Sequence, residues 1–65
     1  MKFIEIVEEY KAGTLTTYST DPQEALAYAE KIMKNGNPVC GVIMHPSRIV
    51  IYNEKGAVCA ELLPY

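Results

Sequence analysis

The sequence of 65 residues has no tryptophan, one histidine, one phenylalanine and two cysteines. It contains no Cys-x-x-Cys pair and no cluster of histidines, which are the usual ligand patterns of a zinc site. It also lacks a glycine-rich loop that could hold a phosphate group. These absences remove the enzyme classes that are easiest to recognise, and we expect neither a metal nor a cofactor.

Basic residues and long apolar runs are scarce as well. Six Lys and Arg stand against eight Asp and Glu, which gives a formal net charge of −2, whereas proteins that bind duplex nucleic acid cluster positive charge. No apolar run approaches the roughly 20 residues that span a bilayer. The N-terminal segment MKFIEIVEEY has acids among its apolar residues, unlike a signal peptide. We therefore expect a cytoplasmic protein with no membrane role and no duplex nucleic-acid partner.

The composition is sufficient for a single compact domain over residues 1–65. Apolar residues make up 49% and charged residues 22% of the chain, as in globular proteins. A chain of this length buries only about 60% of the surface that its unfolded form exposes. Small domains compensate with disulfides, a metal or a partner, and the absences above favour a partner.

The first third of the chain predicts a β-hairpin. The runs KFIEIVEEY and LTTYST are rich in strand-forming residues and are separated by KAGT, in which Gly13 can adopt a positive φ. A turn from Tyr10 to Gly13 places Glu9 opposite Thr14, and every other pair follows from this one.

The segment TDPQEALAYAEKIMKNGNP predicts a helix. Asp21 suits the N-cap, Pro22 the first helical position, and Glu24 the third, where it would complete a capping box. Gly36 suits the C-cap. Apolar residues recur every three or four positions and would face a sheet; they are Ala25, Leu26, Ala29, Ile32 and Met33.

The rest of the chain predicts three strands, PVCGVIMH, RIVIY and AVCAELL, joined by turns at HPSR and NEKG. These turns place Met44 opposite Ile49 and Ile51 opposite Val58. The predicted fold class is α+β, a mainly antiparallel sheet of about five strands in the order β-β-α-β-β-β with one helix packed on one face. One face of the last three strands is then entirely apolar, which supports the register and should receive the helix; it comprises Cys40, Val42, Met44, Ile49, Ile51, Val58, Ala60 and Leu62.

The same register separates the two cysteines. Cys40 lies on the helix-covered face, and Cys59, opposite Val50, lies on the other face with a strand between them. A disulfide requires Cα atoms within about 7 Å and converging Cβ vectors. We expect two reduced thiols, in agreement with a cytoplasmic location.

His45 invites a catalytic interpretation, because the stretch MHPSRIVIY places it next but one to Ser47, a possible nucleophile. No second orienting acid or oxyanion-type glycine loop accompanies this pair, and a hydroxyl in a tight turn bonds local backbone. We expect His45 to share a polar corner with Arg48 and Glu61, which face each other across a strand pair. The sequence therefore predicts no enzymatic activity.

The sheet face without the helix is the candidate binding surface. One helix cannot cover both sides of such a sheet, and unless Tyr65 folds back, the other face exposes a contiguous apolar patch of the kind that marks association. The alternative is that its apolar residues are exposed singly, as surface apolar residues often are. Val39, Cys59 and Leu63 belong to this face. The residues predicted to carry binding are Ile43, His45, Arg48, Val50, Tyr52 and Glu61.

Two functions would use this face. The first is a non-enzymatic protein-protein interaction module, as a homodimer or as a small inhibitor or adaptor of a larger partner. The second is binding of single-stranded nucleic acid or of a small ligand, with Tyr52, Tyr18 or Phe3 stacked on bases. Because the acidic residues of the chain repel phosphate, the first function is favoured.

The capped helix DPQEALAYAEKIMKNG lies between an N-terminal strand region and the closing strands VCGVIMHPSRIVIYNEKGAVCAEL. This outline resembles small phage-encoded inhibitors of the anti-CRISPR kind. The resemblance implies a non-enzymatic protein that blocks a bacterial defence complex by occupying its surface. It concerns architecture alone and assigns no functional residues.

Overall fold

The computed structural model describes residues 3–64, which contain one helix and six strands. In chain order these are β1 (Ile4–Tyr10), β2 (Gly13–Ser19), α1 (Pro22–Asn35), β3 (Asn37–Val39), β4 (Val42–Met44), β5 (Arg48–Tyr52) and β6 (Val58–Leu62). Four strands form an antiparallel sheet in the order β2-β1-β5-β6, and β3 and β4 form a separate two-stranded hairpin. The predicted α+β class is confirmed, with four strands plus a hairpin in place of one sheet of about five strands.

The β1-β2 hairpin has the predicted register. Glu9 is opposite Thr14, and Tyr10 is opposite Gly13, which has a φ of 150°. Pairing continues without interruption to Ile4 and Ser19. The turn and the alternation of side chains depend only on residues that are close in sequence, so the sequence was enough to predict this hairpin.

The ends of α1 are also as predicted, with one exception. The side chain of Asp21 accepts a hydrogen bond from the backbone N–H of Gln23 at 2.9 Å, and the N–H of Gly36 donates to the carbonyl of Ile32 at 2.8 Å. The N–H of Asp21 donates to Ser19 Oγ at 3.2 Å, so Ser19 takes the place predicted for the capping-box glutamate.

One side of α1 packs on the four-stranded sheet. Ala25 and Ala29 are fully buried, and their small side chains allow the helix to lie close to the strands. Ile32 is buried beside them, but Leu26, which was predicted to share the apolar stripe, is 41% exposed. Each buried isoleucine of the sheet contributes about 1.5–3 kcal/mol. The strand residues that form the core with the helix are Ile4, Ile6, Ile49 and Ile51.

The predicted pairing of the segment PVCGVIMH with β5 is wrong. This segment makes a tight turn at Cys40 and Gly41, whose φ values of 52° and 81° are left-handed, and it folds on itself as the β3-β4 hairpin. Val42 is thus opposite Val39 and is exposed. The longer strand β1 pairs with β5 instead, with Ile6 opposite Ile51.

The predicted register between β5 and β6 is shifted by two residues. Ile51 is opposite Ala60, not Val58, because the side-chain oxygen of Asn53 accepts hydrogen bonds from the N–H groups of Lys55 and Ala57 and holds a wider loop. A bulge then brings Val58 opposite Tyr52. Ala60 keeps its predicted face, whereas Val58 moves from the predicted core to an exposed position.

Candidate interaction surface

The face of the four-stranded sheet opposite α1 is here called the open face. Within residues 3–64, α1 packs against the isoleucines on the other side; Tyr65, a possible cover, lies outside the described residues. Cross-strand pairs arrange the open face in three rows, which are Tyr18, Glu5, Tyr52 and Val58; Thr16, Val7, Val50 and Glu61; and Thr14, Glu9 and Arg48.

One end of the open face is aromatic and apolar apart from Glu5, which stands between Tyr18 and Tyr52 in its row. Phe3 and Tyr18 are 48% and 60% exposed, and their rings meet edge to face with centroids 6.2 Å apart. Val58 ends the same row and is 62% exposed. An edge-to-face arrangement is favourable for two aromatic rings, so Phe3 and Tyr18 present one joint apolar surface at this end.

The other end of the open face is ionic. Arg48 Nη2 lies 2.6 Å from Glu9 Oε2, and Arg48 Nη1 lies 3.1 Å from Glu61 Oε2. The predicted contact of Arg48 with Glu61 is therefore present, although Glu61 is directly opposite Val50. The hydrogen bond that Arg48 donates to the carboxylate of Glu9, followed by the negative charge of Glu9, raises the pKa of Arg48. Sequence reasoning missed Glu9 because it did not pair β1 with β5.

In the middle of the open face, the predicted binding residue Val50 is too buried to contact a partner. Val50 is only 4% exposed, because β5 is an inner strand and its neighbours on both sides carry side chains on the same face. Tyr52, the next residue on this face of β5, is half-buried. Of these two predicted residues, Tyr52 is the one that a partner can contact.

Ile43 and His45 were predicted on the open face but lie at the β3-β4 hairpin instead. Ile43 is 63% exposed and belongs to β4. A Cβ built on Gly36 would lie 2.6 Å from Cγ2 of Ile43 and 3.0 Å from Cε1 of His45. The hairpin therefore folds back against the C-terminal end of α1, which removes both residues, and Val39 with them, from the sheet.

His45 lines an open groove of about 660 Å³ between the C-terminal half of α1 and the end of β6. Glu61 lines this groove as well. Ser47 Oγ donates to the carbonyl of Glu9 at 3.0 Å. The predicted backbone bond of Ser47 is thus made to the neighbouring strand instead of within its own turn.

A second polar cluster, which the sequence analysis did not predict, lies under the helix. Glu8 is fully buried on the inward side of β1. Its carboxylate accepts hydrogen bonds from the hydroxyl of Tyr10, from Tyr28 at 3.1 Å, from Asn37 Nδ2 at 3.0 Å and from Thr17 at 3.4 Å. These donors come from β1, α1, β3 and β2, so one carboxylate links four elements.

The two tyrosines that donate hydrogen bonds to Glu8 have raised pKa values. Burial, followed by the hydrogen bond to Glu8, raises the pKa of Tyr10 to about 12. Burial also raises the pKa of Tyr28. Within residues 3–64, every buried side-chain nitrogen and oxygen has a hydrogen-bond partner. The cluster is therefore a satisfied structural network, typical of an ordered core.

The two cysteines are free and exposed. The reason differs from the predicted one, since Cys40 lies in the β3-β4 turn and not on the sheet. Cys59 lines a pocket together with Leu26 and Ile51, which places it beside the helix side of the sheet and corrects its predicted position on the other face.

In the part of the chain that the structure describes, no three His, Cys, Asp or Glu side chains are grouped closely enough to hold a metal ion. The same residues include no helix that is both long and apolar enough to cross a membrane. No family model, curated protein or solved structure matched the chain. Inference about function therefore depends on the surface itself.

Proposed function

We propose that the chain is a non-enzymatic protein-interaction module that binds a protein partner through the open face. The observation that carries this proposal is that α1 covers only one side of the four-stranded sheet. The uncovered side bears the Phe3-Tyr18 pair and Val58, three apolar side chains that are about half or more exposed. Exposed aromatic and apolar surface of this kind is typical of protein interfaces.

The charges of the open face favour a protein over a nucleic acid. Among residues 3–64, the carboxylates of Glu5, Glu9 and Glu61 share the face with one cation, Arg48. Two of these carboxylates are bound to Arg48, so its charge is not free for a phosphate. Single-stranded nucleic acid would meet net negative charge here, whereas a protein with an apolar patch and basic residues around it is complementary.

The polar side chains support a role without catalysis. The carboxylate of Glu8 is buried and saturated with hydrogen bonds, and the hydroxyl of Ser47 is committed to a backbone carbonyl. The free thiols support a cytoplasmic location. In one form of the proposal, suggested by the resemblance to phage-encoded inhibitors, the partner is a bacterial defence complex and the chain acts by occupying its surface.

The experiment compares two variants that alter equally exposed residues. Val58 on the open face and Ile43 on the hairpin are 62% and 63% exposed. Wild type, Val58→Asp and Ile43→Asp are immobilised in equal amounts and used to capture proteins from a bacterial extract. Each captured protein is then purified and titrated against the three chains, after circular dichroism has shown that all are folded.

We expect a partner whose affinity falls by at least about ten-fold for Val58→Asp and by less than about two-fold for Ile43→Asp, because a charge buried in an apolar contact is desolvated. A partner that binds both variants equally, or that is lost only with Ile43→Asp, would show that binding uses another surface. Capture of no protein that distinguishes the variants also contradicts the proposal.

A further inference from the structure

The two edge strands of the sheet differ in how well they are protected from pairing with strands of another molecule. β6 carries Glu61, has a bulge in its pairing and is followed closely by Pro64. β2 (Gly13–Ser19) has seven residues, GTLTTYS, without a charge or a proline, and it pairs with β1 without a bulge. Charges, prolines and bulges are the features that prevent edge strands from pairing with other strands. β2 lacks all three and is rich in strand-forming residues.

The free backbone groups of β2 can be assigned from the ladder. The carbonyl of Glu9 accepts a hydrogen bond from the N–H of Ser47, so the backbone of Glu9 faces β5 and not β2. Its partner Thr14 then belongs to a pair without mutual hydrogen bonds. Because such pairs alternate with hydrogen-bonded pairs in an antiparallel ladder, Thr14, Thr16 and Tyr18 direct their N–H and C=O groups to the open edge.

These three residues form a pattern that is complementary to itself. Among residues 3–64, no strand pairs with the outer edge of β2. When a second copy of β2 runs antiparallel with Thr16 opposite Thr16, Thr14 falls opposite Tyr18 and every outward group finds a partner. Leu15 falls opposite Thr17 on the other side of the ribbon. No cross-strand pair brings charges together, so nothing in the edge opposes this arrangement.

We propose that β2 pairs with β2 of a second copy of this chain about a two-fold axis at Thr16, joining two four-stranded sheets into one. A two-fold contact of this kind needs only one self-complementary edge, and an extended strand with free backbone groups is an established way for sheets to associate. The inference goes beyond the proposed function and does not depend on it, since it concerns the edge of the sheet and a second copy instead of a foreign protein.

The test is the mass in solution of wild type and of two charged variants at the axis, measured by light scattering under reducing conditions. We expect the wild-type mass to rise with concentration towards twice the 7.3 kDa of one chain. Thr16→Lys and Thr16→Glu each place two like charges opposite one another. We expect each to raise the dimer dissociation constant by at least about three-fold, while a one-to-one mixture of the two recovers the dimer.

The mixture controls for misfolding, because two unfolded variants would not recover a dimer when combined. Thr20→Lys, which changes the same residue type just outside β2, should dimerise like wild type. Val58→Asp should also dimerise, so loss of the open-face partner and loss of the dimer are separate results. A wild-type monomer at all concentrations up to about 1 mM, an unchanged dimer in Thr16→Lys, or failure of the mixture to recover the dimer would overturn the proposal.

Discussion

The carboxylate of Glu8 accepts a hydrogen bond from Asn37 Nδ2 at 3.0 Å, across 29 residues of sequence. This contact ties the inward face of β1 to the hairpin that follows α1. The hairpin has no ladder to the main sheet within residues 3–64, so its position depends on side chains such as Asn37 and on the fit of Ile43 over Gly36. A buried, fully bonded carboxylate is thus an organising feature of the helix side of the molecule.

The first prediction concerns Glu8 itself. Replacement by alanine leaves the half-buried hydroxyls of Tyr10 and Tyr28 and the amide of Asn37 without their acceptor, so we expect Glu8→Ala to lower the free energy of unfolding by about 2–4 kcal/mol. Urea unfolding followed by circular dichroism measures the change. Glu5→Ala, on the open face of the same strand, is the control and should change stability by less than about 0.5 kcal/mol. Equal effects of the two substitutions would mean that the Glu8 network is not a source of stability.

The second prediction concerns the hairpin. Asn37→Ala removes one donor of the Glu8 cluster, and we expect a loss of about 1–2 kcal/mol in the free energy of unfolding. Hydrogen exchange should show a local effect, with the amides of β3 and β4 exchanging faster while those of β5 stay protected. Asn35→Ala, at an exposed position near the end of α1, should leave the exchange of the hairpin unchanged. Uniform acceleration across β5 would contradict this local role of Asn37.

The elements that the sequence predicted correctly are those whose causes lie within a few residues. The N-cap at Asp21, the C-cap at Gly36 and the hairpin turn at Gly13 each depend on neighbouring backbone groups. The choice of strand neighbours is not local. The run RIVIY is apolar on both faces, which is typical of an inner strand, but this pattern does not determine which strands lie beside it.

The candidate site was predicted in part for the same reason. Arg48 and Glu61 lie on the same face, as predicted, although the register between β5 and β6 differs from the predicted one by two residues. A difference of two residues leaves each side chain on the same side of the sheet. Ile43 and His45 lie away from their predicted positions because the chain turns at Cys40 and Gly41, within the segment predicted as one strand. The Glu8 cluster was not predicted because its partners come from elements far apart in sequence. A signal for it was present, since Glu8 follows Ile4 and Ile6 at alternate positions of β1 and therefore points to the same side of the sheet.

The third prediction uses two glycines with the same φ of 84° and different surroundings. An added Cβ at Gly36 would lie 2.6 Å from Cγ2 of Ile43, whereas at Gly56 no atom lies within 4 Å. Both Gly→Ala changes place a side chain at a positive φ, which costs about 1–3 kcal/mol, and we expect Gly36→Ala to be worse by at least about 1 kcal/mol because of the contact. Thermal or urea unfolding measures the difference.

A double variant identifies the cause of that difference. Ile43→Ala removes the methyl group that a side chain at residue 36 would meet, so Gly36→Ala should be less harmful in the Ile43→Ala background than in wild type. The same double comparison with Gly56→Ala should be additive. If Gly36→Ala costs as much as Gly56→Ala, the hairpin does not pack against the end of α1 as the structure places it.

The fourth prediction is a loss of stability at high pH. The pKa of Tyr10 rises from its ordinary value of 10.0 to about 12 on folding, through burial and then the hydrogen bond to Glu8. The unfolded chain therefore releases this proton at lower pH than the folded chain. The stabilisation is fully present below pH 10, declines as pH rises, and is lost above the folded pKa. We expect a decrease of about 1–2 kcal/mol from this residue, after allowance for its partial exposure.

Tyr10→Phe tests the assignment, because phenylalanine cannot lose a proton. In this variant the free energy of unfolding, measured in urea at a series of pH values from 9 upward, should fall less steeply than in wild type. Some decline should persist, since burial also raises the pKa of Tyr28. Tyr18→Phe removes a phenol outside the Glu8 cluster and should keep the wild-type slope. If Tyr10→Phe and Tyr18→Phe have the same slope, the alkaline loss of stability does not come from Tyr10, and the inward position of its hydroxyl beside Glu8 is wrong.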